Sequence, residues 1–197
     1  MINNRSKTIL KYIVGIGPIV IFIVLSIFLY IYVSPEDVVS YVGVENAYLL
    51  MFIVAFIGGL TTFNVVPYYS LLFILSGGEL NPFILGLSSG LGIVLGDSTT
   101  YFVGFQSGKI APGKLQRFFD KVNQKMHKYP KLFPVFCFVY GSLSPLSNDF
   151  ITMSSGLAKY PFLKMIVPLG LGNLIFNISV AYFFTYAYDF IELSFFQ

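Results

Sequence analysis

Two carboxyl groups stand in otherwise apolar parts of the sequence and are the first candidates for chemistry. Asp97 lies in the run GDSTTY, well inside one apolar stretch, and Asp149 follows Asn148 at a polar break in another. An ionisable side chain at such a depth is costly in a membrane and usually marks a function or a buried partner. Burial disfavours the charged form of a carboxyl, so proton coupling at Asp97 is physically possible. The alternative is a neutral Asp97 that hydrogen-bonds to the backbone of a neighbouring segment.

Asp149 also has two interpretations. It is either a second proton site or substrate ligand, or the cap of a helix that begins at Phe150, because Asn and Asp are favoured at that position. It closes the polar run GSLSPLSND at 141–149, and a comparable run, TTFNVVP at 61–67, interrupts an earlier apolar stretch. The candidate substrate ligands in the two breaks are Asn64, Pro67, Pro145, Asn148 and Asp149.

The sequence gives no support to other kinds of site. Cys137 is the only cysteine and His127 the only histidine, so neither an intramolecular disulfide nor a structural zinc site is predicted. No Ser/His/Asp set and no phosphate-binding P-loop is present. We therefore predict that the protein is not an enzyme and uses no metal or cofactor.

The composition favours lipid as the solvent. Hydrophobic residues make up 56% of the 197 residues and charged residues only 11%, whereas a soluble domain usually carries about 25% charge. The mean hydropathy is +0.78. The first apolar run, Ile9 to Val33, is long enough to cross a bilayer, which takes about 20 residues, and it lacks a small-residue cleavage site. We predict that it is a retained membrane span.

The distribution of charge predicts how the chain is oriented. The 12 Lys and Arg fall in three clusters, within residues 5–11, 109–131 and 159–164, and most of the acids lie elsewhere. Positive charge marks the cytoplasmic side of a membrane protein. The N-terminus and the two later basic clusters should then be cytoplasmic, with residues 34–46, 77–82 and the C-terminus outside. Because the basic residues follow this pattern, the net charge of +3 does not indicate a nucleic-acid partner.

This orientation predicts three crossing segments, 9–33, 83–106 and 165–188. Segments 47–76 and 132–157 instead start and finish on the same side, and each is broken near its middle. Lipid cannot satisfy the backbone groups that such a break frees, so the break must be buried in protein or line a wet cavity. We predict two re-entrant helical hairpins. Pairs of ordinary spans are the alternative, but the apolar arms of about 8 to 14 residues are shorter than the ~17 a span needs.

An internal repeat relates the two halves. Ser76-Gly77 and a GLG run at 90–92 recur 79 and 80 residues later as Ser155-Gly156 and a GLG run at 170–172. In this register Asp97 aligns with Asn177. One unit would enter from outside and the other from inside. Inverted repeats with broken helices are a transporter architecture that places polar groups near the membrane midplane.

The whole chain is then one membrane domain. Its parts are an N-terminal span with an outside linker (1–46), a first hairpin plus span (47–106), a basic cytoplasmic segment (107–131) and a second hairpin plus span (132–190). Residues 114–128 have one apolar face and basic residues around the rest, which predicts a helix on the cytoplasmic membrane surface. An ordinary solvated helix is the alternative.

Several of these motifs resemble the DedA family, also called the VTT or SNARE-associated family. The glycine-rich stretch 92–108 is similar to the family's pattern of GD, three residues, Y, two residues, G. The second break, through Ser155-Gly156, is similar to its GR-x-x-P-x-x-R…AG motif, and the first, with Pro67, to its P-x-E…AG motif. The resemblance covers about residues 45–185. It implies movement of phospholipids or polyprenyl phosphates between leaflets, in some members coupled to protons.

Three positions depart from the family pattern. Ser142 and Asn148 stand where the family has arginines, and Tyr69 stands where it has glutamate. Arginine suits bidentate binding of phosphate. Its absence argues against recognition of a phosphate head group but not against the expected fold. We predict either a different substrate or recognition through Asn148, Asp149 and the hairpin backbone. Ser142 and Tyr69 complete the set of candidate substrate-binding residues.

The sequence therefore predicts an all-α polytopic membrane protein that moves a lipid between leaflets, with Asp97 as a proton-sensitive group. Its partners would be membrane lipids and its place the cell (inner) membrane, with the N-terminus cytoplasmic and the C-terminus outside. An oligomer is compatible with the sequence. The first alternative is a carrier or channel for a small solute or ion in the same scaffold. The second is a non-transporting membrane scaffold that recruits partners through residues 109–131.

Overall fold

The computed structural model describes residues 35–60, 65–107, 128–145 and 147–195, together with residues 24, 120, 121 and 124. Within these ranges the chain is helical and contains no strand, which confirms the predicted all-α class. The described residues form seven helices: α1 (Pro35–Val42), α2 (Val44–Gly58), α3 (Val65–Gly77), α4 (Pro82–Ser107), α5 (Leu132–Leu143), α6 (Asp149–Leu157) and α7 (Phe162–Phe195). The predicted first span at 9–33 and the predicted surface helix at 114–128 lie almost wholly outside the described residues.

Helices α4 and α7 form the centre of the fold. They contain 26 and 34 residues, and both are long and apolar enough to cross a membrane. They correspond to the segments 83–106 and 165–188 that were predicted to span. Helix α7 extends further than predicted because no glycine or proline follows Gly172 to end it.

The two long helices cross in opposite directions with their backbones close together. A methyl group at Gly90 would lie 2.8 Å from the Leu174 side chain, and one at Gly170 would lie 3.0 Å from the Val94 side chain. Position 90 thus faces 174 and position 94 faces 170, so the helices are antiparallel. Each pair of equivalent positions is 80 residues apart, which makes the contact reciprocal.

The first arm of each hairpin runs beside the long helix that follows it in the chain. Helix α2 starts next to the start of α4, where the Asn81 N–H donates to the Tyr48 hydroxyl (2.9 Å). It ends beside Gly96, in the middle of α4. Helix α5 packs in the same way on α7, where Gly172 lies on the backbone around Gly141.

The second arm of each hairpin packs on the long helix of the other half. Helix α3 lies alongside α7, and the ring of Phe73 is edge-on to that of Phe184 with 5.4 Å between the ring centroids. Helix α6 lies alongside α4, and Gly156 lies against the α4 backbone at Tyr101 and Gly104. The hairpin α2–α3 therefore enters at the first end of α4, and the hairpin α5–α6 enters at its last end.

The turns that follow the two hairpins share an unusual backbone conformation. Glu79 has φ 56° and Lys159 has φ 53°, and they are the residues other than glycine with positive φ in the described part of the chain. This left-handed region costs a residue with a Cβ about 1–2 kcal/mol. The two positions are 80 residues apart and carry opposite charges. The same turn thus appears once with an acid and once with a base.

The long helices carry apolar residues outside and polar residues inside. On α7, Asn173 and Asn177 are 4% and 1% exposed. Its outer face carries apolar residues at every fourth position, each at least half exposed: Leu163, Val167, Leu171 and Ile175. A soluble monomer rarely exposes an apolar patch larger than a few hundred Å².

Candidate functional site

Asp97 lies at the centre of a buried polar cluster that joins α4, α7 and the start of α6. Its Oδ2 accepts hydrogen bonds from Asn148 Nδ2 (2.8 Å) and Asn173 Nδ2 (3.1 Å). Asn148 Nδ2 also lies 3.3 Å from Asn173 Oδ1. Asp97 is 1% exposed and Asn148 is 7% exposed. These partners of Asp97 are side-chain amides rather than hairpin backbone.

A second polar contact lies at the equivalent place in the other half. The Tyr68 hydroxyl, near the start of α3, donates to Asn177 Oδ1 on α7. Asn177 Nδ2 in turn donates to the Asn173 carbonyl (2.7 Å). Asn173 takes part in both contacts, because its backbone carbonyl accepts from Asn177 and its side chain donates to Asp97. The residue therefore links the polar groups of the hairpin α2–α3 with those of the hairpin α5–α6.

Asn148 reaches the cluster because its side chain is not used to cap its own helix. It is the N-cap of α6, and its carbonyl accepts from the Thr152 N–H (2.9 Å) as a first helical bond. Its side chain makes no capping bond and crosses to α4 instead. An Asn N-cap normally satisfies an N–H of the first turn. The Asn148 side chain therefore joins α6 to α4 rather than stabilising the start of its own helix.

Asp149 is the first residue of α6 and is half-buried at the edge of the cluster. The Ser147 hydroxyl donates to Asp149 Oδ2 (2.8 Å) and accepts from the Asp149 N–H (3.3 Å). A carboxylate in the first turn of a helix is stabilised by the positive end of the helix dipole. The amino end of α6 thus already holds an anion that belongs to the chain.

The other predicted ligands lie further from Asp97 or outside the described residues. Ser142 donates to a carbonyl of its own helix (2.8 Å), and Pro145 is exposed. The ring of Tyr69 is half-buried and packs edge-on against the preceding tyrosine at 4.7 Å. Asn64 and the side chain of Pro67 lie outside the described residues. The structure therefore brings Asp97, Asn148 and Asp149 together from the predicted set.

Three residues of the polar chain, Asn173, Asn177 and Tyr68, were not among the predicted site residues, although Asn177 was aligned with Asp97 in the internal repeat. Asn173 had a signal in the sequence, because it precedes Asn177 by four positions in an apolar run, and residues four apart share a helix face. Tyr68 had none, since a tyrosine in an apolar helix is most often part of the core.

The groups around Asp97 include another carboxyl group and a hydrogen-bond acceptor that has no donor among the described residues. The charged group that acts on Asp97 is this carboxyl group, which belongs to Asp149, and Asp97 forms no ion pair within the described part of the chain. Asn148 Oδ1 is buried there without a hydrogen-bond donor. In the same part of the chain, no group of three or more His, Cys, Asp or Glu lies close enough together to hold a metal ion.

Comparisons with models of known protein families, with curated proteins and with solved structures give no match. Function must therefore be argued from the geometry of the site.

Proposed function

We propose that the protein is a multi-pass membrane transporter of the DedA/VTT type that moves a lipid between leaflets. The observation that carries this proposal is the meeting of two opposed hairpins at the buried chain of polar groups around Asp97. Broken helices that bring polar groups to the middle of an inverted repeat are the usual site of substrate and coupling ions in transporters.

The outer surface supports a membrane environment. The exposed apolar positions of α7 form a continuous stripe, while its amides face inward. Inside a bilayer, backbone and polar groups must find partners within the protein, and within the described part of the chain the buried amides around Asp97 supply such partners, with the exception of Asn148 Oδ1. In this proposal α4 and α7 span the membrane, and the two hairpins are re-entrant.

The reciprocal contacts support an inverted repeat. Gly90 faces Leu174 and Gly170 faces Val94, while the arms of each hairpin divide their contacts between the two long helices in the same pattern. The positive-inside rule favours Lys159 on the cytoplasmic side, and the opposed arrangement of the two halves then puts its counterpart Glu79 outside. The N-terminus is then cytoplasmic and the C-terminus outside, in the cell membrane.

Asp97 is the proposed proton-sensitive group of this transporter. It is buried, the carboxyl group of Asp149 acts on it electrostatically, and its partners from the facing helices are neutral amides. Addition of a proton would remove the negative charge of the Asp97 carboxylate. A change of charge inside such a network alters how strongly the helices hold one another.

A leaflet-exchange assay tests the proposed function. The protein is reconstituted in liposomes with a fluorescent lipid, and dithionite is added outside. In protein-free liposomes the inner-leaflet label stays protected, whereas an active transporter exposes it. The exposed surface variant Ser179→Ala, whose hydroxyl bonds only within α7 (2.8 Å), should behave as wild type. Full protection of the inner label with folded protein would refute the proposal.

A carrier for a small solute or ion in the same scaffold is the second candidate. It is favoured by the size of the cluster, in which Asp97 and its two amide partners are almost fully enclosed, and by the absence of arginine at positions 142 and 148. Solute-loaded liposomes that exchange solute but leave the lipid label protected would favour it. A scaffold that acts through residues 109–131 would lose all function when that segment is deleted and none when Asp97 is replaced.

A further inference from the structure

The polar cluster lacks one hydrogen-bond donor. Asn148 Nδ2 serves Asp97 and Asn173, but Asn148 Oδ1, on a side chain only 7% exposed, has no donor in the described part of the chain. Buried polar atoms in folded proteins are nearly always paired, and an exception calls for an explanation. The missing partner must bring an N–H or O–H group.

The charges around this acceptor are negative. Asp97 and Asp149 are the carboxyl groups of the site. The lysines in the described part of the chain, Lys121, Lys128, Lys131, Lys159 and Lys164, are all exposed. The amino end of α6, which would otherwise suit an anion, already holds the Asp149 carboxylate. A phosphate at the cluster would therefore meet carboxylates and no cation of the described chain.

We propose that the group recognised at Asp97 and Asn148 is a primary ammonium, so that the cargo is an amine-bearing amphiphile. This inference rests on the proposed function and names its substrate class. An ammonium carries three N–H donors and no acceptor. One donor would reach the Asp97 carboxylate and another the unpaired Asn148 Oδ1. A bond of this kind between charged groups is about twice as strong as a neutral one.

Lipids with identical tails and different head groups test the proposal. Acyl-labelled phosphatidylethanolamine, phosphatidylcholine and phosphatidylglycerol are compared in the leaflet-exchange assay. Phosphatidylethanolamine should move about tenfold faster than phosphatidylglycerol, because hydrogen bonds to charged groups contribute at that level. Phosphatidylcholine keeps the positive charge without an N–H donor and should be slower than phosphatidylethanolamine. Equal rates for all three lipids would overturn the ammonium assignment and leave lipid transport standing.

A binding measurement separates this inference from the transport proposal. Lysophosphatidylethanolamine and lysophosphatidylglycerol of equal chain length are added to the detergent-solubilised protein, and melting is followed through the buried thiol of Cys137. Selective stabilisation by the amine, even without lipid transport, would support the assignment and refute the transporter. Equal melting curves with both amphiphiles would overturn the assignment, since a selective ligand must stabilise the folded state by mass action.

Variants at Asn148 provide the matched comparison. Asn148→Leu removes the acceptor and should reduce the preference for the amine about tenfold. Asn148→Arg supplies a cation and should favour phosphatidylglycerol. Ser179→Ala, on the exposed face of α7, is the control. An unchanged preference in both the Leu and Arg variants, with protein that still melts cooperatively, would overturn the assignment.

Discussion

The crossing of α4 and α7 predicts a sharp difference between two glycine-to-alanine substitutions. At Gly86 a Cβ would lie 2.8 Å from the Ile178 backbone nitrogen and 3.0 Å from the Asn177 carbonyl oxygen. At Gly58 the nearest atom to a new Cβ is the Tyr68 Cβ at 3.9 Å, an ordinary contact distance. Gly86→Ala therefore forces two helix backbones apart, whereas Gly58→Ala fits.

The two substitutions should change the free energy of unfolding in opposite directions. Overpacking costs about 1–3 kcal/mol, and the cost should be near the upper end where backbone, which cannot change rotamer, is the obstacle. Alanine in a helix is about 1 kcal/mol more favourable than glycine. We expect Gly86→Ala to destabilise by about 2 kcal/mol and Gly58→Ala to stabilise by up to about 1 kcal/mol. For a chain of this size these values correspond to melting temperatures lower by about 4–8 °C and higher by about 2–4 °C.

The single cysteine provides the assay. Cys137 is 0% exposed in α5, so a thiol-reactive fluorophore reports its exposure when the purified protein is heated. Gly170→Ala, whose Cβ would meet a Val94 side-chain carbon at 3.0 Å, should fall between the other two variants because a side chain can shift. If Gly86→Ala melts at the same temperature as Gly58→Ala, the close antiparallel crossing of α4 and α7 is wrong.

Three further predictions follow from the site and the turns. Asp97→Asn should keep both amide hydrogen bonds and the fold but abolish the pH dependence of transport, because an amide does not titrate near neutrality; a pH profile in liposomes that matches wild type would contradict the proton role. Glu79→Cys should react with an impermeant thiol reagent from outside intact cells and Lys159→Cys only after permeabilisation, and labelling of both from one side would contradict the inverted arrangement. Lys159→Gly should raise stability by about 1 kcal/mol because glycine has no Cβ to strain at positive φ; an equal or lower melting temperature would argue against the turn geometry.

Sequence patterns predicted the helical elements well because their signals are local. The proline and glycine breaks divide the apolar segments into arms, and the structure has arms of 15, 13, 12 and 9 residues in α2, α3, α5 and α6. Five glycines of α4 lie in contact with neighbouring helices, as small residues spaced about four apart allow: Gly86, Gly90, Gly92, Gly96 and Gly104. The charge pattern assigned Glu79 and Lys159 to opposite sides without indicating that the two turns share one backbone conformation.

The site was only partly predictable because its contacts join residues that are far apart in sequence. Asp97 was chosen for its cost in an apolar segment, and that argument names a residue but not its partners. Asn148 was selected for its place in a broken helix, yet its direction depends on how α6 packs against α4. In the resemblance to the DedA family, position 148 is one where the family has arginine and this chain has asparagine. In the structure its amide donates to Asp97 and leaves one acceptor unpaired, so the same position that argues against phosphate supplies a specific reason to expect an amine.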